Sequence, residues 1–214
     1  MSELFSIQLQ NRQQQGRDGV WLDLPTTTEQ VQAALRQIGI SSDNPQGLFI
    51  SGYFAEEEKR FAIPYNMVLA SNVDELNFLA SRLETLSTGE RAELNAALQA
   101  PQSELSSIGR ITDFPENVDY YVHLPDVHGP AQLGDYYLNR SGMVDMPEEW
   151  KGGIDTAQFG RYVAQQEQGV FTEYGYLVKS GDEWQKVHEG QSVPEEYRVL
   201  SFPAPEILRD AANI

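Results

Sequence analysis

The chain has 214 residues, a formal net charge of -17 and a sequence pI near 4.4. That length permits one large domain or two to three small ones, and 40% hydrophobic residues with 10% aromatics favour folded cores over wholesale disorder. With no cysteine, disulfides, thiolate zinc sites and a Cys nucleophile are excluded, and so strong a negative charge repels nucleic acid and anionic membranes while attracting basic surfaces.

In chain order, "LFSIQLQ" and "GVWLDLP" alternate as strands, separated by a polar Gln/Arg/Gly turn. "TTTEQVQAALRQIG" then reads as a helix with a capping box from Thr26 to Glu29 and a C-terminal Gly39. "GLFISGYF" is a third strand, so residues 1–63 form a three-stranded sheet with one helix. "SNVDELNFLASRLETLS" places Leu76, Leu79, Leu83 and Leu86 on one stripe of an amphipathic helix. "STGERAELNAALQA" opens a second helix with a Ser87–Glu90 capping box. Residues 64–109 are therefore expected to be an acidic helical module. Its outer faces carry Asp74, Glu75, Glu84, Glu90, Glu93 and Glu104 against Arg82 and Arg91.

Residues 110–214 mix types again. "VDYYVHL" is a strand, "PAQLGDYYLNRSG" a helix from Pro130 to Gly142, and "DTAQFGRYVAQQEQG" a helix capped by Asp155 or Thr156. "GVFTEYGYLVKSGDEWQKV" supplies two or three strands, and "PEEYRVLSFPAPEILRDAANI" one more strand and a short helix. The fold class is α+β in three small modules. The N-terminus shows no basic segment followed by an apolar run, and no apolar stretch approaches the roughly 20 residues that cross a bilayer, so a cytoplasmic location is expected.

The charge is concentrated. Residues 71–150 hold 14 acidic and 4 basic side chains. Within them, "DFPENVDYYVHLPDVHGPAQLGDYY" combines five carboxylates and five aromatic rings with no lysine or arginine. The rings are expected to anchor a strand and a helix, with Asp113, Glu116, Asp119, Asp126 and Asp135 facing outward. Asp145, Glu148 and Glu149 follow, and Glu56, Glu57 and Glu58 in "FAEEEKR" read either as a solvated turn or as part of a larger negative surface. Chemistry is sparse by comparison. There is no P-loop, dinucleotide fingerprint or Gly-x-Ser-x-Gly. His123, Asp126 and His128 in "HLPDVH" lack a specified third strong ligand and second shell. Chance pairs among 32 acidic residues carry almost no signal for a carboxylate hydrolase. No catalysis, metal or cofactor is expected.

Taken together and in order, "GVWLDLP", "GLFISGYF", "VDELNFLASRLETLSTGERAELNAAL" and "DYYLNRSG…TAQFGRYVAQQEQGVFTEYGYL" resemble the ArdA antirestriction family over about residues 4–178. The Glu75-Leu76-Asn77 element and Phe159-Gly160-Arg161 followed by "GVFTEYGYL" are its most specific parts. The resemblance implies an elongated, three-module homodimer encoded on a mobile genetic element. Its surface carboxylates imitate DNA phosphates and occupy the DNA-binding groove of type I restriction–modification enzymes. Residues from about 181 to 214 extend past the family's usual end. Two rival readings stay open: an acidic interaction module for another basic, DNA-binding partner, and a carboxylate-based hydrolase around His123, Asp126 and His128.

Overall fold

The computed structural model describes residues 4–14, 18–41, 47–56, 60–101 and 103–200. These divide into two compact units, one within 1–60, 64–84 and 190–214, the other within 61–63 and 85–189. The architecture is α+β, with an antiparallel three-stranded sheet in each unit.

In the first unit, β1 (Phe5–Asn11) lies between β2 (Val20–Leu24) and β3 (Leu48–Phe54). The alternation in "FSIQLQN" is realised as Phe5, Ile7 and Leu9 buried, paired with Leu24, Leu22 and Val20 across the ladder. A bulge between Gln8 and Leu9 shifts the register against β3. Helix α1 (Thr28–Gln37) buries Val31, Ala34 and Leu35, but its capping box is one residue later than the sequence predicts. Thr27 accepts from Gln30 N–H, and the Gln30 side chain accepts from Thr27 N–H. Thr26 is buried instead, its N–H donating to Asn77 Oδ1 at 2.7 Å and its hydroxyl to Gln30 Oε1. That long-range bond holds Thr26 outside the helix and moves the cap on by one.

A short helix, α2 (Tyr65–Leu69), leads into α3 (Val73–Leu83), capped by Asn72 with Glu75. The α3 members of the expected stripe, Leu76, Leu79 and Leu83, are fully buried, each contributing roughly 1.5–3 kcal/mol. Asn77, on the same buried side, donates to Tyr197 O at 3.0 Å, and the Tyr197 ring packs on Phe78.

The second unit begins with Phe61–Ile63, where Ala62 N–H donates to Asn95 Oδ1 inside α4 (Thr88–Gln99). The Ser87–Glu90 box at the start of α4 forms as predicted. "SELSSIGRI" closes into α5 (Ile108–Thr112), and two 3-10 turns lead to β4 (Tyr121–Leu124). Helix α6 (Pro130–Asp135) begins at Pro130 as expected but continues as a π-helical turn, Tyr136–Arg140, before Gly142. After α7 (Glu148–Lys151) and α8 (Thr156–Glu167, capped by Asp155), the hairpin β5 (Val170–Thr172) and β6 (Gly175–Lys179) completes a sheet ordered β4-β6-β5. Its core is Val127, Leu133, Ala164 and Tyr176. Residues 195–197 form a single 3-10 turn, and the helix expected near the C-terminus lies outside the described residues. Among the described residues, no helix is long and apolar enough to cross a membrane.

Candidate partner-binding surface

The acidic side chains singled out by the sequence fall into three structural groups. The first are fixed by helix starts. Glu75 accepts from Asn72 N–H and stays exposed. Glu90 accepts from Ser87 N–H at 2.7 Å, and its hydrogen bonds with the Ser87 side chain and backbone hold its carboxyl below the usual range. A negative charge at a helix N-terminus is favoured by the dipole, and the capping bond holds the carboxylate in one place.

The second group is turned inward. Asp113 was expected to face solvent, but it is 0% exposed and accepts from His188 N–H at 2.6 Å and Glu189 N–H at 3.2 Å. The unsatisfied backbone donors of a distant segment decide its orientation. Asp74, half-buried, accepts from Val199 N–H at 2.7 Å and Leu200 N–H at 2.8 Å. Glu104 is held between Lys179 Nζ (2.8 Å) and Arg110 Nη1 (2.5 Å), and Tyr120 also donates to it. The Lys179 hydrogen bond is the largest cause of its lowered pKa. Two cations already neutralise this carboxylate, which removes it from the free negative surface.

Glu93 stands apart. One of its carboxylate oxygens is buried with no hydrogen-bond partner among the described residues. Burial, with Glu90 and then Asp119 as like charges, pushes its pKa up to about 8. The folded state therefore holds a proton here that the unfolded chain releases above about 4.3, so this group costs stability progressively as pH rises from about 5 to 8. After allowance for partial solvent exposure, the penalty is on the order of 1–2 kcal/mol. Glu93→Gln is expected to match the parent chain's urea midpoint at pH 5 and exceed it at pH 8; equal shifts at both pH values would contradict this assignment.

The third group is exposed: Glu56, Glu116, Asp119, Asp126, Asp145, Glu148 and Glu149. Glu148 pairs with Lys151 at 2.9 Å, while half-buried Asp135 lies 3.5 Å from Arg140 and accepts from Asn139. Half-buried Glu84 ends α3, and Glu57 and Glu58 lie outside the described residues. Glu116 and Asp119 share an open groove of about 410 Å³ with Asp182, Glu183, Asn117, Tyr120 and Gln185. Sequence reading did not single out Asp182 and Glu183, because nothing local shows that "SGDEW" folds back beside residues 116–119. Two adjacent acids in a stretch expected to be strand are the only signal they give.

The catalytic alternative is not assembled in this way. His123 Nε2 lies 2.7 Å from the Tyr174 carbonyl, whereas Asp126 and His128 are exposed. Among the described residues, no group of three or more His, Cys, Asp or Glu side chains is placed to hold a metal ion. A second cavity, about 390 Å³, is lined in part by Tyr121, Glu167, Gln168 and Lys179. Glu167 there accepts from Tyr137 (2.5 Å) and Tyr176 (2.9 Å). Burial first, and then Glu167, pushes both phenols up, so they remain donors tying α8 to β6 and to the π-helical turn.

No curated protein matched the chain. Residues 15–178 match the family model described as antirestriction protein (ArdA). On that match, which spans more than half of its length, the chain belongs to the ArdA antirestriction family, whose membership implies activity against type I restriction–modification enzymes.

Proposed function

We propose that this chain inhibits by DNA mimicry, presenting ordered surface carboxylates to the DNA-binding groove of a type I restriction–modification enzyme. In this reading it acts in the cytoplasm as a homodimer and as a stoichiometric inhibitor with no reaction of its own. The observation that carries the proposal is the way the exposed charge is mounted. Glu75 is fixed by a capping box, as is the half-buried Glu90, and exposed Glu116 and Asp119 sit on ordered turns beside Asp182 and Glu183. Charges on rigid elements bind a basic groove without the ordering entropy that a disordered acidic tail loses. The scale is suitable. Duplex DNA carries about one charge per 1.7 Å of axis, so two chains of -17, or -34 together, correspond to about 17 base pairs.

Mixing the protein with a type I modification complex and labelled target DNA tests the proposal. DNA is expected to be displaced near one dimer per complex, less efficiently as salt rises. If DNA stays bound at stoichiometric protein while the chain still binds other basic DNA-binding proteins, the general acidic-adaptor reading replaces this one.

A further inference from the structure

The family match ends at residue 178, and the segment just beyond it is seated like a ligand. Asn117 Nδ2 donates to the Gln185 carbonyl (3.0 Å) while its Oδ1 accepts from Gln185 N–H (2.7 Å), so both polar backbone atoms of one residue are engaged. Three and four residues further on, the buried Asp113 carboxylate accepts from the N–H groups of His188 and Glu189. Arg110 Nε donates to Glu189 Oε1 at 2.9 Å. The Trp184 ring packs edge-on against Tyr120, with centroids 5.1 Å apart. The side chains of Gln185, Lys186 and Val187, in between, are exposed. Docking through main-chain atoms with anchors at each end is how extended peptides are recognised by binding proteins. The segment is also bounded by two glycines in the left-handed region, Gly181 (φ +100°) and Gly190 (φ +76°), where the chain turns without a side chain to resist.

We propose that Arg110, Asp113, Asn117 and Tyr120 form a peptide-binding site, occupied in cis by residues 182–189, which open as a latch about Gly181 and Gly190. The site takes an irregular segment, bent before its acidic end, with an aromatic residue five positions before an acidic one, the pattern of Trp184 and Glu189. Opening exchanges the N–H bonds on Asp113 for water, which hydrates that carboxylate well, so release of the latch costs less than unfolding the unit beneath it. Asp182 and Glu183 travel with the latch, so opening also moves two of the groove carboxylates, but hydrogen exchange and peptide binding read the latch without any restriction enzyme.

Native-state hydrogen exchange on the full chain reads the latch directly. The amides of Gln185, His188 and Glu189 are expected to exchange together, at least about 10-fold faster than those of β6. Asp113→Asn is expected to speed them by roughly a further 10-fold. A variant that lacks both side-chain anchors and whose latch amides exchange at the open rate, Trp184→Ala with Glu189→Ala and with Asp113 on the cradle side left unchanged, is expected to bind a labelled peptide spanning residues 181–190 saturably and to ignore a scrambled one. Latch amides that exchange at the β6 rate, or an open cradle that does not bind the peptide, would overturn the proposal.

Discussion

Gly134→Ala and Gly160→Ala are each expected to destabilise the second unit by about 3 kcal/mol or more, read as a drop in its thermal and urea midpoints. A Cβ at Gly134 would lie 1.9 Å from the Thr156 carbonyl oxygen, and one at Gly160 1.8 Å from the Pro130 carbonyl oxygen. In both cases the obstacle is backbone, so α6 and α8 must move apart by more than an ångström, which loosens the packing of Leu133 and Ala164 in the core. Both substitutions demand the same separation. The double variant should therefore cost clearly less than the two singles added, a coupling measurable by a double-mutant cycle. Gly89 supplies the control: a Cβ there meets nothing within 4 Å, in the first turn of α4. Gly89→Ala should be neutral or stabilising by up to about 1 kcal/mol. If the two helix–helix glycines tolerate alanine within 1 kcal/mol, the close crossing is not what selects them.

Those glycines show where the sequence was legible and where it was not. Helical periodicity around "PAQLGDYYL" and "TAQFGRYV" locates both helices, because burial of one face is a local pattern. A glycine inside a helix, however, reads locally only as a weak helix former. Its value here lies in a carbonyl more than twenty residues away. The acidic side chains follow the same rule. Glu90 is placed as a helix-start residue by a four-residue motif and its capping box forms, whereas sequence reading did not single out the Asn72–Glu75 box. Asp74 and Asp113 look no different in sequence, yet each bonds backbone N–H groups from residues far along the chain. Glu93, three residues beyond Glu90 in the same helix, has its pKa pushed up to about 8 by burial first, then by Glu90 and Asp119 as like charges. Whether an acidic residue supplies surface charge or internal structure is decided by tertiary placement. Composition alone gives the total charge, and that total overstates what a partner meets.

This sorting leads to the largest expected functional effect. Replacing Glu116, Asp119, Asp182 and Glu183 together by Gln or Asn is expected to weaken inhibition of a type I enzyme on the order of 100-fold at low salt. Any one of the four replaced alone should change inhibition only about 1.5- to fivefold, because each exposed charge contributes roughly 0.2–1 kcal/mol. The quadruple variant should also show a shallower dependence of inhibition on salt, having fewer counterions to exchange. Relief of self-repulsion around the groove should raise its thermal midpoint slightly, so that stability and inhibition move in opposite directions. Neutralising the inward set gives the converse. Asp74→Asn, Asp113→Asn and Glu104→Gln remove acceptors or a bridged ion pair, so they should lower stability first and alter inhibition only as far as folding fails. Measuring midpoint and inhibition for both sets separates a surface of distributed charge from a single discrete contact. Loss of inhibition from one exposed substitution in a fully folded chain would mean that the partner reads a site and not an array.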